Sequence, residues 1–247
     1  MFNYSAPTQL LKDKTILVTG AGDGIGRAAA ITYAQAGATV ILLGKTVEKL
    51  ESVYDEIEAL GAPKAAILPL NLETATEQNY IEITNMIDRE FGVLDGLLHN
   101  ASILGMRTPL ENYDPVTWEQ VMRVNTNAPF YLTQALLPLL HLSSCASIVF
   151  TSSSVGIKGK AYWGAYSVSK FAIQGMMQIL ADELENTSNV RSNCINPGAT
   201  RTSMRAAAYP GEQPENNPTP EQIMPVYLYL MGADSATANG RTFNAQD

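Results

Sequence analysis

Residues 15–27 read TILVTGAGDGIGR: a short β-rich run, a loop holding Gly20, Gly22, Gly24 and Gly26, then the entry to an alanine-rich helical pattern over 27–35. Glycines in such a loop permit a sharp turn and let backbone N–H groups approach a pyrophosphate. The following helix N-terminus adds partial positive charge. Taken alone, the loop could be a tight turn that merely packs; its place between a strand and a helix favours a dinucleotide site. A P-loop is excluded, because Gly26 is followed by Arg27-Ala28 instead of Lys and Ser/Thr.

Outward from this loop, apolar runs alternate with longer amphipathic stretches, the pattern of a parallel sheet with helices on both faces. Strands are expected at 15–19, 39–43, 66–70, 94–99, 147–151, 190–195 and 241–245, with helices at 47–60, 116–140 and 166–184. Thr74 and Glu77 have capping-box spacing for a helix ending near Phe91. Thr219, Pro220 and Gln222 read as N-cap, first position and third position of a last helix. Segment 209–220 (YPGEQPENNPTP) reads as a mobile loop. The expectation is one doubly wound α/β sheet of about seven strands, a single Rossmann-like domain over 1–247.

Composition limits the function. The chain has 247 residues, 46% hydrophobic and 16% charged, with a formal charge of −8 and no Lys/Arg cluster. That argues against sequence-independent nucleic-acid binding. Its two cysteines, Cys145 and Cys194, form neither a disulfide framework nor a CxxC site, and His99 and His141 have no partner at metal-ligand spacing. No metal site is expected. Neither a secretory leader nor an apolar run of membrane-spanning length is visible, so a cytoplasmic protein without membrane partners is expected.

The end of the second strand selects among dinucleotides. An acidic residue there would hydrogen-bond the adenine ribose of NAD, and a methyl-donor cofactor would usually want one too. Here the strand runs into Gly44-Lys45. Lysine would pair with a 2′-phosphate, so NADP(H) is favoured over NAD(H), with Arg27 as a second cation and Asp23 as an unfavourable neighbour. Lys45 also reads as an ordinary solvated lysine.

Tyr166 and Lys170 are four residues apart, on one face of a helix. A phenol whose anion is favoured by a nearby ammonium can donate a proton to a carbonyl oxygen or accept it in reverse. The fifth strand runs into Ser152-Ser153-Ser154 at the sheet edge where open α/β folds bind ligands. Any of the three serines could face the substrate if the register slips.

The ordered set resembles the short-chain dehydrogenase/reductase family over about 14–245. Its motifs are the TGxxxGxG loop at 19–26, His99-Asn100-Ala101-Ser102 after the fourth strand, Asn125, Ser153, Tyr166, Lys170, and Pro197-Gly198-Ala199-Thr200-Arg201-Thr202. Segments 41–45, 150–156 and 193–205 are most similar to the YciK-type bacterial oxidoreductases. The resemblance implies hydride transfer between NADP(H) and a small carbonyl or alcohol substrate. Tyr166 would be the general acid/base and Ser153 would orient the substrate. Lys170 would lower the tyrosine pKa, hold the nicotinamide ribose and join a water relay near Asn125. Gly20, Asp23, Gly24, Ile25 and Gly26 would surround the pyrophosphate side, and Lys45, Asn71, Leu72, Asn100 and Ala101 the adenosine side. Pro197, Gly198, Thr200 and Thr202 would lie toward the nicotinamide.

Asn125 reads equally as a core residue bonded to backbone. His99, Ser102 and Asn71 depart from the family pattern, which keeps a non-catalytic NADP(H) sensor as the alternative. The substrate pocket is expected between 103–108, 156–163 and 202–220, open because the last segment is short. A homodimer or homotetramer is implied through the 116–140 and 166–184 helices, although Phe130, Leu137 and Leu140 could equally be core.

Overall fold

In the computed structural model, which describes residues 1–246, all five residues of β1 (Thr15–Thr19) are buried. A parallel strand covered on both faces must be apolar throughout rather than alternating. Asp247, the end of the expected domain, lies outside the described residues. The chain continues through α1 (Gly24–Gln35), β2 (Thr39–Gly44), α2 (Val47–Ala59), β3 (Ala66–Pro69), α3 (Glu77–Phe91) and β4 (Gly96–His99). It then runs through α4 (Pro115–Met122), α5 (Ala128–Leu140), β5 (Ala146–Thr151), α6 (Gly164–Leu184), β6 (Val190–Asn196), α7 (Ser203–Ala208), α8 (Met224–Met231) and β7 (Thr242–Asn244).

The strands form one parallel seven-stranded sheet in the order β3-β2-β1-β4-β5-β6-β7. One core lies beneath α1, α2 and α8, where Ala28, Ala29, Ala30 and Ala34 meet Val40, Leu42, Tyr227 and Leu230. The other lies beneath α3, α5 and α6, where Ile83, Ile87, Leu132, Leu136, Ile173 and Met177 meet Leu17, Leu97 and Ile148. The strand order reverses between β1 and β4, and the crevice beyond the carboxyl ends there is where such sheets bind ligands.

Several expectations are corrected. Helix α1 starts at Gly24, inside the glycine loop, rather than at Arg27. The capping box of α3 is Thr76 with Asn79, not Thr74 with Glu77. Thr74 instead closes a turn, its N–H donating to the Asn71 carbonyl at 3.1 Å.

The long helix over 116–140 is broken. Pro129 has no N–H for the carbonyl of Asn125 four residues earlier, so the α ladder cannot continue. The chain takes a π turn over Arg123–Asn127, with the Ala128 N–H on the Arg123 carbonyl. A similar substitution of geometry opens the last helix. Pro225 denies the Glu221 carbonyl its donor; a 3₁₀ turn occupies Glu221–Ile223, and α8 begins at Met224. Gln222 still accepts from the Thr219 N–H at 2.8 Å, as a third-position residue would.

Segment 209–220 is braced, contrary to the expected mobile loop. Arg201 donates to the carbonyls of Pro214, Glu215 and Asn217 at 3.0–3.3 Å. Arg205 and Asn217 both hold the Glu212 carboxylate.

Candidate active site

The glycine loop is built for close approach. Gly20 has φ +68, a left-handed conformation that side chains rarely adopt. A Cβ on Gly26 would stand 2.2 Å from the Gly20 carbonyl oxygen and 2.5 Å from Asn100 Nδ2, so α1 can lean on the loop only as glycine. Thr19 ties this loop to the end of β4: its Oγ1 accepts from the N–H of Asn100 at 2.9 Å and of Ala101 at 3.0 Å.

These turns open into a cleft of about 420 Å³ at the β1/β4 switch point. Gly20, Asp23, Gly24, Ile25, Lys45, Asn71, Leu72, Asn100 and Ala101 line it. So do Ser153, Tyr166, Lys170, Pro197, Gly198, Thr200 and Thr202. Gly26 and Asn125 stand behind the wall. The cleft fits an extended dinucleotide: a glycine cradle at a helix N-terminus, a cationic rim at one end and a hydroxyl cluster at the other.

At the rim, Lys45 is exposed and has no ion-pair partner among the described residues. Asp23, the unfavourable neighbour, is engaged by Lys49 at 2.6 Å, which holds its carboxyl below the usual range. Arg27 turns instead to Glu56 on α2 and does not line the cleft, so its expected part as a second cation is corrected. Lys49, in the first turn of α2, lines the cleft. Its four-residue spacing from Lys45 was the available signal.

At the other end, Ser152 and Ser153 both line the cleft. Ser152 is buried and accepts from Gln174 Nε2 at 2.9 Å, while Ser154 is exposed outside the cleft. The Ser153 hydroxyl accepts from the Val155 N–H at 3.4 Å and shares the cleft wall with Tyr166, whose pKa it draws down. Lys170 is fully sequestered, with Nζ donating to the Thr151 carbonyl at 2.9 Å and standing 5.4 Å from the Tyr166 ring centre. Gly156 lets α6 come this close, since a Cβ there would meet Lys170 backbone at 2.9 Å. Burial dominates both groups. Tyr166 is pushed up to about 12, against the smaller downward pull of Ser153, and Lys170 is pushed down to about 8. The expectation of a phenol made net more acidic by Lys170 is therefore corrected.

Asn125 is spent on structure. Its Oδ1 accepts from the Ile103 N–H at 2.9 Å, and its Nδ2 donates to the Ile103 carbonyl at 2.9 Å and to Ser169 Oγ at 3.1 Å. Ser169 in turn donates to the Tyr166 carbonyl at 2.7 Å, so Asn125 reaches the tyrosine through the backbone of α6. His99 is a core residue stacked on Phe150 at 4.8 Å, with Nε2 against Thr133 Oγ1 at 2.8 Å. Burial holds it neutral, at about 3. Ser102 lines the cleft with a buried, unpartnered hydroxyl.

Among the described residues no cluster of His, Cys, Asp or Glu could hold a metal, and no helix is long and apolar enough to cross a membrane.

With a parallel sheet wound this way and a Ser–Tyr–Lys cluster facing a glycine cradle, the chain belongs to the short chain dehydrogenase family. That family's model matches residues 14–213. The chain is an oxidoreductase of that family. It is 53% identical over 244 residues to the oxidoreductase YciK of Escherichia coli strain K12, covering 99% of this chain and 96% of the relative. A short chain dehydrogenase structure from Pseudomonas syringae is 62% identical, covers 100% of both chains and superposes with a TM-score of 0.98. One from Shigella flexneri, complexed with NADP, is 53% identical with a TM-score of 0.95, covering 98% of this chain and 100% of that one.

Proposed function

We propose that this chain interconverts a carbonyl and an alcohol using NADP(H), with Tyr166 moving the proton. The observation that carries this reading is the single cleft in which Ser153, Tyr166 and Lys170, its Nζ 5.4 Å from the Tyr166 ring centre, share a wall with the glycine loop. When bound, the dinucleotide supplies or accepts the hydride. Ser153 holds the substrate oxygen toward Tyr166. A phenol with its pKa near 12 is neutral at physiological pH, so it serves as a proton donor in the reducing direction. Lys170, as ammonium, favours the phenolate left after that transfer and is placed to hold a ribose hydroxyl. Asn125 acts as a positioning residue, fixing Ile103 and, through Ser169, the Tyr166 turn.

Lys45 and Lys49 would receive a 2′-phosphate, and no carboxylate at the end of β2 competes for it. The NADP complex of the Shigella relative supports that choice. Thr202 is placed toward the nicotinamide carboxamide. A homo-oligomer is inferred through α5 and α6, which leave Phe130, Tyr131, Val168, Phe171 and Ile179 exposed, while Leu140 is core. A cytoplasmic location is inferred with it; Cys145 and Cys194 are both free thiols.

Tyr166→Phe tests the reading. The variant should bind NADPH within about twofold of the parent and lose at least about a hundredfold in carbonyl turnover. Equal turnover of any substrate by parent and variant would refute it.

A further inference from the structure

Three segments distant in sequence meet around Trp163, which lines the cleft beside Tyr166; Arg107 and Lys160 are exposed and stand outside the lining residues. The loop after β4 brings Arg107, the turn before α6 brings Lys160 and Trp163, and α7 with its C-terminal turn brings Arg205 and Tyr209. The Arg107 guanidinium is sandwiched, 4.7 Å from the Trp163 ring centre and 4.9 Å from that of Tyr209. It also donates to the Ala208 carbonyl. Lys160 Nζ donates to the Tyr209 hydroxyl at 3.3 Å. Arg205 stacks on the same ring at 3.9 Å and grips Glu212 with two bonds of 2.6 Å.

The charges in this cluster do not cancel. Glu212 is its one paired carboxylate, and Arg205 and Asn217 occupy it. Arg107 and Lys160 share a ring yet have no carboxylate partner among the described residues. The chain as a whole carries a formal charge of −8, so acidic residues were available to neutralise them. Like charges held over one ring repel, weakly at exposed positions where water screens them, and an anion between them relieves that repulsion. A separate observation points the same way. Trp163 lines the cleft and is only 7% exposed, yet its Nε1–H has no acceptor. Buried donors without partners are rare. Trp163 is also the next ring to Tyr166, 5.6 Å between centres. The wall beside the phenol therefore offers a free indole donor, with Arg107 stacked on that indole and Lys160 over the next ring, both outside the lining residues.

We infer that the substrate is a carbonyl or alcohol compound bearing an anionic group, a carboxylate or a phosphate monoester, received by Arg107, Lys160 and the Trp163 indole. This rests on the reading of Tyr166 as the proton donor, and deepens it by naming the substrate class. The neutral reacting carbon would face Tyr166 and Ser153 while the anion stays at the cation–aromatic wall.

The test uses the full chain saturated with NADP⁺ and measures binding separately from turnover. One arm compares oxo acids, with one to six methylenes between ketone and carboxylate, against their methyl esters. A second arm compares dihydroxyacetone phosphate with dihydroxyacetone. The anion of at least one pair should bind about tenfold or more tightly than its neutral partner. Which arm responds tells carboxylate from phosphate. Lys160→Glu is a surface change that leaves the fold intact, and Arg107→Gln removes the second charge. Each should shrink the preference to about twofold or less by weakening the anion more than its neutral partner. Equal or undetectable binding of every anion, or a preference that both variants retain, overturns the inference. Tyr166→Phe should keep the anion preference. Anion binding without turnover by the parent would instead overturn the proton-donor reading alone.

Discussion

Lys170 donates its ammonium to the carbonyl of Thr151, the last residue of β5, at 2.9 Å. The bond anchors a flexible side chain to the end of a central strand, beside the Tyr166 ring and out of water. Two consequences follow from burial: the phenol is held protonated, and the ammonium is held less firmly charged than a surface lysine.

Reduction should therefore be steady through neutral pH and fall as pH rises through about 8, where Lys170 loses its proton. Tyr166 stays a donor across that window because its pKa lies near 12. The decline should disappear in Lys170→Met, whose residual rate is low and flat with pH. A pH–rate profile of NADPH oxidation checks this, and a parent profile unchanged between pH 7 and 10 would contradict it.

The second prediction concerns the adenosine end. Lys45→Ala should weaken NADPH about tenfold, roughly 1.4 kcal/mol, and NADH less than twofold. Lys49→Ala should show the same selectivity with a smaller effect, because removing Lys49 also frees the Asp23 carboxylate it pairs with. Isothermal titration with the two nucleotides separates charge pairing from general loosening, which would weaken both equally.

Much of the fold was legible because it rests on local, repeated signals. The central strands announced themselves as buried apolar runs, and the glycine loop marked the switch point. What stayed hidden depended on partners far away in the chain. Arg27 lies next to the glycines yet is taken by Glu56, 29 residues on, across the α1–α2 contact. The break at Arg123–Asn127 had a readable cause in Pro129, but an apolar pattern spanning it suggested one helix. Segment 209–220 has loop composition, and its bracing comes from Arg201 and Arg205, just outside it. Tyr166 and Lys170 share α6 and the cleft wall, as their spacing suggested; the direction of the phenol's shift was not legible, since burial is a property of packing and not of spacing.

Asn125 offers a third test, of positioning as opposed to chemistry. Asn125→Ala strips the Ile103 N–H and carbonyl and the Ser169 hydroxyl of a shared partner. The cost should be about 2 kcal/mol, lowering the thermal midpoint by several degrees. Turnover should fall about tenfold or more while KM for NADPH changes less than about threefold, because Asn125 does not line the cleft. A large rise in KM(NADPH) with turnover intact would show that it holds the dinucleotide instead.

The last prediction uses His99, which the core holds neutral. Its pKa is pushed down from 6.5 to about 3 by burial against Phe150 and Thr133. Between those two values the unfolded chain binds a proton that the folded chain refuses. Stability must then fall as pH drops from about 6.5 toward 3, and must be insensitive to this residue above 6.5. At pH 4 the penalty is on the order of 3 kcal/mol. Replacing His99 with Phe removes the titration while keeping an aromatic face toward Phe150. His99→Phe should be less stable than the parent at pH 7.5, where the Thr133 hydroxyl loses its partner. Its urea midpoint should nevertheless decline less steeply between pH 6.5 and 4. Parallel slopes for the two proteins would mean that His99 protonates freely in the folded state, which its enclosure between β4, β5 and α5 forbids.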